Sequence, residues 1–171
     1  RDSPQSPGER AGRNLPDLLA MAPLQNRSPG RLELARQLTT KDHPLTSRVM
    51  VNRIWHQLFG RGIVPTPDNF GWLGQRPSHP DLLDYLAVEF AETHSYSIKS
   101  FIERIVLTKT FGMSSTAAGP AYVDQDPDNQ WLHRMPMRRL EAEAIRDSAL
   151  AISGRLDRRV GGKPVPVSYT H

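Results

Sequence analysis

An all-α fold is the first expectation: an orthogonal bundle of about five helices with long Gly/Pro-rich loops and an extended N-terminal arm. Three observations carry it. Apolar residues recur at helical spacing in several segments, no segment alternates apolar and polar over strand length, and Pro and Gly cluster between the periodic stretches. At 171 residues and 37% hydrophobic, the chain has material for one domain with one core.

Residues 1–30 contain Pro4, Pro7, Pro16, Pro23 and Pro29 without a sustained period, which reads as a linker or extended arm. Leu15, Leu18, Leu19 and Met21 within it are spaced for a short docking turn. The helical domain is expected over 31–162, with an unstructured tail at 163–171. Its first helix covers about 31–40, with Leu34, Ala35 and Leu38 on one face. Asp42-His43-Pro44 stops it, because the residue before proline is pushed out of the helical region. The second helix spans about 45–59 and ends at Gly60, a natural left-handed terminator. Val51, Ile54, Trp55 and Leu58 form its apolar stripe, while Arg48, Asn52 and His56 recur every fourth residue on another.

Gly60–Pro77 is a long loop whose Ile63, Val64, Phe70, Trp72 and Leu73 would pack it down on itself. Ser78-His79-Pro80-Asp81 has the pattern of a capping box and opens the third helix, which repeats Leu82, Leu83, Leu86, Ala87, Phe90 and Ala91. The fourth helix starts at Ser97 and buries Ile98, Phe101, Ile102, Ile105 and Val106. The two form a hairpin around His94–Tyr96. Residues 112–136 have little periodicity. The fifth helix runs from about Met137 to Ser153 and stops at Gly154.

Composition excludes several functions. There are no cysteines, which removes thiolate nucleophiles, zinc–thiolate centres, disulfides and covalent c-type haem attachment from this chain. The net charge is +4, but 22 basic residues are spread among 18 acidic ones rather than gathered on a stripe, so nucleic acid is not an expected partner. No apolar run approaches the roughly 18 residues of a membrane span. No signal peptide opens the chain, and the start without Met leads us to expect an upstream leader outside it.

Chemistry-bearing residues gather in two places. Arg48, Asn52, Arg53 and His56 crowd the second helix, where arginine suits bidentate anion recognition and histidine titrates near neutrality. The structural alternative, which we prefer, is that Arg48 and Asn52 tie the helix to the following loop by hydrogen bonds. Arg139, Glu143, Arg146 and Asp147 crowd the fifth helix. Glu143 and Asp147 lie one turn apart, as an acid/base pair or a divalent-ion site would need, but the i, i+3 and i, i+4 arginines make a charge ladder the better reading. Trp55, Phe70 and Trp72 form a candidate aromatic surface if exposed, and core if buried. Asp124, Asp126, Asp128 and Asn129 alternate like a calcium loop, yet position six is Asn129 rather than Gly and position twelve is Met135 rather than Glu. No HExxH, GxSxG, Walker or GxGxxG motif stands in the right context, so no metal ion or catalytic residue is assigned.

The blocks RLELARQLTTKDHPLTSRVMVNRIWHQLFGRGIVPTPDNFGWLGQRPSHPDLLDYLAVEF, SIKSFIERIVLTKTF, DPDN and RRLEAEAIRDSALAISGRLD, in that order, resemble the planctomycete PSD-one domain of unknown function over about 31–162. Matching positions include Pro44, Leu45, Arg48, Asn52, Arg53, Trp55, Phe59, Gly60, Gly62, Phe70, Gly71, His79, Pro80, Arg139, Glu143, Arg146 and Asp147. The resemblance implies a module of a large secreted or periplasmic protein, set beside another planctomycete domain and often a c-type cytochrome domain. Haem would then belong to a separate upstream domain. Expected partners are the neighbouring domains of the same protein, a redox protein, or, on the alternative reading as an enzyme or binding domain, an acidic (sulfated) polysaccharide. Two departures stand out: His43 where the family tends to carry Asn, and a C-terminus ending in GKPVPVSYTH where family members continue, so this chain is expected to carry the N-terminal portion of the domain.

Overall fold

The computed structural model describes residues 19, 21, 30–116, 119–159 and 161. The expected arm at 1–30 and tail at 163–171 lie almost wholly outside them. Six helices and no strand occur among the described residues: α1 (Arg31–Leu38), α2 (Thr46–Phe59), α3 (Pro80–Glu92), α4 (Ile98–Val106), α5 (Pro120–Gln125) and α6 (Ala142–Ile152). The all-α class is as the sequence predicts. The chain forms two compact units, Arg1–Pro136 and Met137–His171.

The core of the first unit gathers Val51, Ile54, Trp55 and Phe59 of α2, Leu83, Leu86 and Phe90 of α3, and Phe101 and Ile105 of α4. Each set repeats at three- and four-residue steps, so one face of each helix turns inward. Ile63 and Val64, from the loop after α2, complete the cluster at 2% and 3% exposure. The core is therefore not a property of α3 and α4 alone; α2 and its loop supply over half of it. Aromatic contacts cement it: Trp55 stacks on Phe59 at 4.3 Å, and Phe90 lies 5.1 Å from Phe101.

Boundaries shift where caps differ from expectation. At the start of α2, the backbone N–H groups of Thr46 and Leu45 donate to His43 Nδ1 at 3.2 and 3.4 Å. A buried imidazole thus caps the helix, in the role that Asn, Asp, Ser or Thr more often takes. Ser78 does not cap α3. That helix starts at Pro80, whose missing N–H costs nothing there, and its N-cap His79 makes no side-chain capping bond. Ser78 is engaged elsewhere: its N–H and hydroxyl both donate to Ile63 O, at 2.9 and 3.2 Å. Ile98 is 45% exposed rather than buried, because it opens the first turn of α4, where the Ser97 hydroxyl accepts from Ser100 N.

The α3–α4 hairpin is present, and its turn places Ser95 and Tyr96 at φ 46° and 62°. α5 is a helix the periodicity missed, since six residues are too few to show a repeat. α6 begins five residues later than predicted, at Ala142, because Glu141 is extended (ψ 152°), and none of its residues is buried.

Candidate functional site

The loop between α2 and α3 is held along its whole length. Asn52, fully buried on α2, meets Val64 with both ends of its amide: Nδ2 donates to Val64 O at 3.0 Å, and Val64 N donates to Oδ1 at 2.8 Å. That is the pairing of two strands, made by one side chain. Gly62 is required for it, since a Cβ there would stand 2.5 Å from Val64 O and 2.9 Å from the Asn52 amide. Ser78 N closes the loop's ends on Ile63 O, which makes Ile63–Ser78 an Ω-loop.

Further bonds brace its outer half. Arg53 Nη2 reaches Asp68 Oδ1 at 2.6 Å. The Thr66 hydroxyl donates to Asn69 O at 2.9 Å and accepts from Gln75 N at 3.0 Å. Asn69 Oδ1 accepts from Gly71 N, and Gly74 N donates to Gly71 O at 2.9 Å, closing a turn whose corners are Trp72 and Leu73. Gly74 backs directly onto Asn69 O, leaving no room for a side chain. On this braced support, Trp72 is 99% exposed and Leu73 87%.

Beside the turn lies a groove of about 170 Å³, walled by Val64, Phe70, Pro77, Pro80 and Leu83 and rimmed by Arg48, Gln75 and Asp84. Arg48 Nε donates to Asp84 Oδ1 at 2.6 Å, and its Nη1 donates to Pro44 O. The hydrogen bond from the Arg48 guanidinium holds the Asp84 carboxyl below the usual carboxylate range, against the opposing effect of burial.

The predicted site residues therefore separate. Asn52 and Arg53 bind the loop, by different means. Arg48 turns to α3 and the groove rim. His56 is half-buried with Nδ1 unpartnered. The candidate aromatic surface divides as well: Trp55 is 8% exposed and belongs to the core, Phe70 packs against the core and walls the groove, and only Trp72 is a surface ring. In the second unit, Arg139 precedes α6 and so cannot pair with Glu143 as a helical neighbour. Arg146 pairs with Asp147 at 3.3 Å and, after α6, Arg159 with Asp157 at 2.8 Å, all four side chains exposed.

The acidic run forms a hydrogen-bonded clasp. Asp126, 7% exposed, accepts from Gln130 N and Trp131 N at 2.8 Å each. Asn129, at φ 52°, donates from Nδ2 to Arg134 O and accepts from Arg134 N. Burial raises the Asp126 pKa, but the two N–H donors, with His133 and Arg134 nearby, lower it further, so it stays below the usual range. No group of three or more His, Asp or Glu side chains able to hold a metal ion occurs among the described residues.

Sequence reading passed over Asp68 and Asp84, the partners of the arginines, and it expected Trp72 and Leu73 to pack the loop down, whereas the turn that closes on Gly71 O carries both into solvent. The signal available for the turn was the pair of glycines flanking Trp72-Leu73.

No helix of the described residues is long and apolar enough to cross a membrane. No curated protein and no solved structure matches the chain. The model of the family described as PSD1, protein of unknown function (DUF1553), matches residues 30–170, the DPDN clasp and the braced loop included, and on that match the chain belongs to the PSD1 family.

Proposed function

We propose that this chain is a non-catalytic helical interaction module of a multidomain extracytoplasmic protein, and that its contact surface is the Trp72–Leu73 turn. The observation that carries this is exposure on a rigid support: a tryptophan 99% open to solvent, beside a leucine at 87%, on a loop with hydrogen bonds from Asn52 to Ser78. Binding surfaces concentrate energy in tryptophan anchors presented without ordering cost. A neighbouring domain of the same protein, including a c-type cytochrome domain, is a fitting partner. A covalently attached c-type haem would belong to that domain, since this chain has no cysteine to hold one.

A second reading, binding of an acidic polysaccharide, draws on the exposed indole and on Arg61 and Arg76 of the same loop, which stand in no ion pair among the described residues. Leu73 favours the protein partner, because a sugar face stacks on a ring and gains little from an adjacent aliphatic chain. Photo-crosslinking from p-benzoyl-phenylalanine at position 72, in cells that make the full-length protein, tests the choice. Crosslinks to protein are expected. Their absence, with retention of the chain on a sulfated-glycan column that Trp72→Ala abolishes, would replace this reading by the second.

A further inference from the structure

We propose that the Trp72–Leu73 turn of one copy seats in the groove of a second copy, and reciprocally, so that the chain pairs with itself about a two-fold axis. This rests on the reading of that turn as a contact surface and names its occupant.

The knob and the hole are parts of one loop. Phe70, a wall of the groove, lies two residues before Trp72, and Gln75, on its rim, two residues after Leu73. The closed turn of Gly71–Gly74 carries the knob away from its own hole, as the near-complete exposure of Trp72 records. A surface bearing a knob and a matching hole side by side is self-complementary: rotating one copy by half a turn offers each knob to the other's hole, which is the isologous contact of two-fold dimers.

Size and chemistry agree. A cavity of about 150 Å³ lined by aliphatic and aromatic side chains accepts a benzene ring. The groove offers about 170 Å³ between Val64, Phe70, Pro77, Pro80 and Leu83, open on one side, so an indole enters with its edge toward the rim. That rim has what an indole needs. Asp84 gives one carboxylate oxygen to Arg48 and leaves Oδ2 to accept the indole N–H, while the Arg48 guanidinium lies where it can meet the ring face. Insertion removes roughly 150–250 Å² of each Trp72 from water. Two Trp72 rings together account for about 300–500 Å², below the usual size of specific interfaces, so a weak dimer is expected.

The test is sedimentation equilibrium of the 171-residue chain from 5 to 500 µM, with folding of each variant checked by circular dichroism. The parent chain is expected to dimerise within that range, Trp72→Ala to weaken the association at least tenfold, and Trp131→Ala, another exposed tryptophan, to leave it unchanged. Asp84→Lys keeps the knob but removes the indole acceptor and sets a second cation against Arg48 at the groove mouth; alone it too should be monomeric. Mixing Trp72→Ala with Asp84→Lys leaves one of the parent's two knob-in-hole contacts intact per pair, so the mixture should associate more weakly than the parent and more tightly than either variant alone. A monomeric parent at 500 µM, a Trp72→Ala chain that pairs as tightly as the parent, or a mixture at 500 µM no tighter than the variants alone each overturns the proposal. If the parent is monomeric yet position 72 still crosslinks to a different protein, self-pairing falls and the interaction module stands; if position 72 crosslinks to nothing, both fall.

Discussion

Replacing Asn52 by alanine strips both Val64 backbone groups of their partner while leaving every apolar core residue in place. Val64 is 3% exposed and Asn52 fully buried, so neither the freed N–H nor the freed C=O faces bulk water. A buried donor or acceptor left unmade costs about 1–3 kcal/mol. Two such groups give about 2–6 kcal/mol, and a water entering the amide-sized hole recovers part of it. The expected loss is about 2–4 kcal/mol, a large share of the 5–15 kcal/mol typical of domains. At about 2–4 °C per kcal/mol for a chain of this size, the melting temperature should fall by about 5–15 °C. Arg53→Ala is the internal control. It also removes a loop brace, the 2.6 Å contact to Asp68, but those side chains are 56% and 83% exposed, and pairs of that kind contribute at most about 1 kcal/mol. Thermal melts with amide exchange read at Val64 measure both. If Asn52→Ala costs less than about 0.5 kcal/mol with Val64 still protected, or if Arg53→Ala costs as much as Asn52→Ala, the buried amide does not hold the loop and the reasoning fails.

Two other outcomes follow from the same geometry. Phe101→Ala, at a side chain fully buried against Phe90 and His94, should cost about 3–5 kcal/mol by chemical denaturation; a loss below about 1 kcal/mol would place Phe101 outside the core. The Asp126 clasp should open in acid: its carboxyl titrates below an unfolded carboxylate, so its contribution to stability is full above about pH 4 and is lost as the pH falls through the folded value. Fluorescence of Trp131, whose backbone N–H the carboxylate holds, should change over that range in the parent and not in Asp126→Asn, and identical titrations would refute the clasp.

The sequence by itself determined the helices whose apolar faces repeat, because burial of one face imposes a period that can be counted: α2, α3 and α4 stand where Val51–Phe59, Leu83–Phe90 and Phe101–Ile105 put them. It also marked Asn52 and Arg53 as polar residues on a helix that otherwise packs, and it carried the family in its ordered blocks. Where a partner lies far along the chain, spacing gave no guide. Ser78 looked like a cap and closes a loop on Ile63, fifteen residues earlier; Arg48 looked like a brace for the loop and pairs with Asp84, thirty-six residues later. Trp55 and Trp72 are the same residue type near the same loop, one 8% exposed and one 99%. Periodicity places Trp55, because a helix repeats its inward face, but a loop has no period. Which way Trp72 points is decided by the hydrogen bonds of Thr66, Asn69, Gly71 and Gly74 within a loop anchored on Asn52, and these bonds have no period to count.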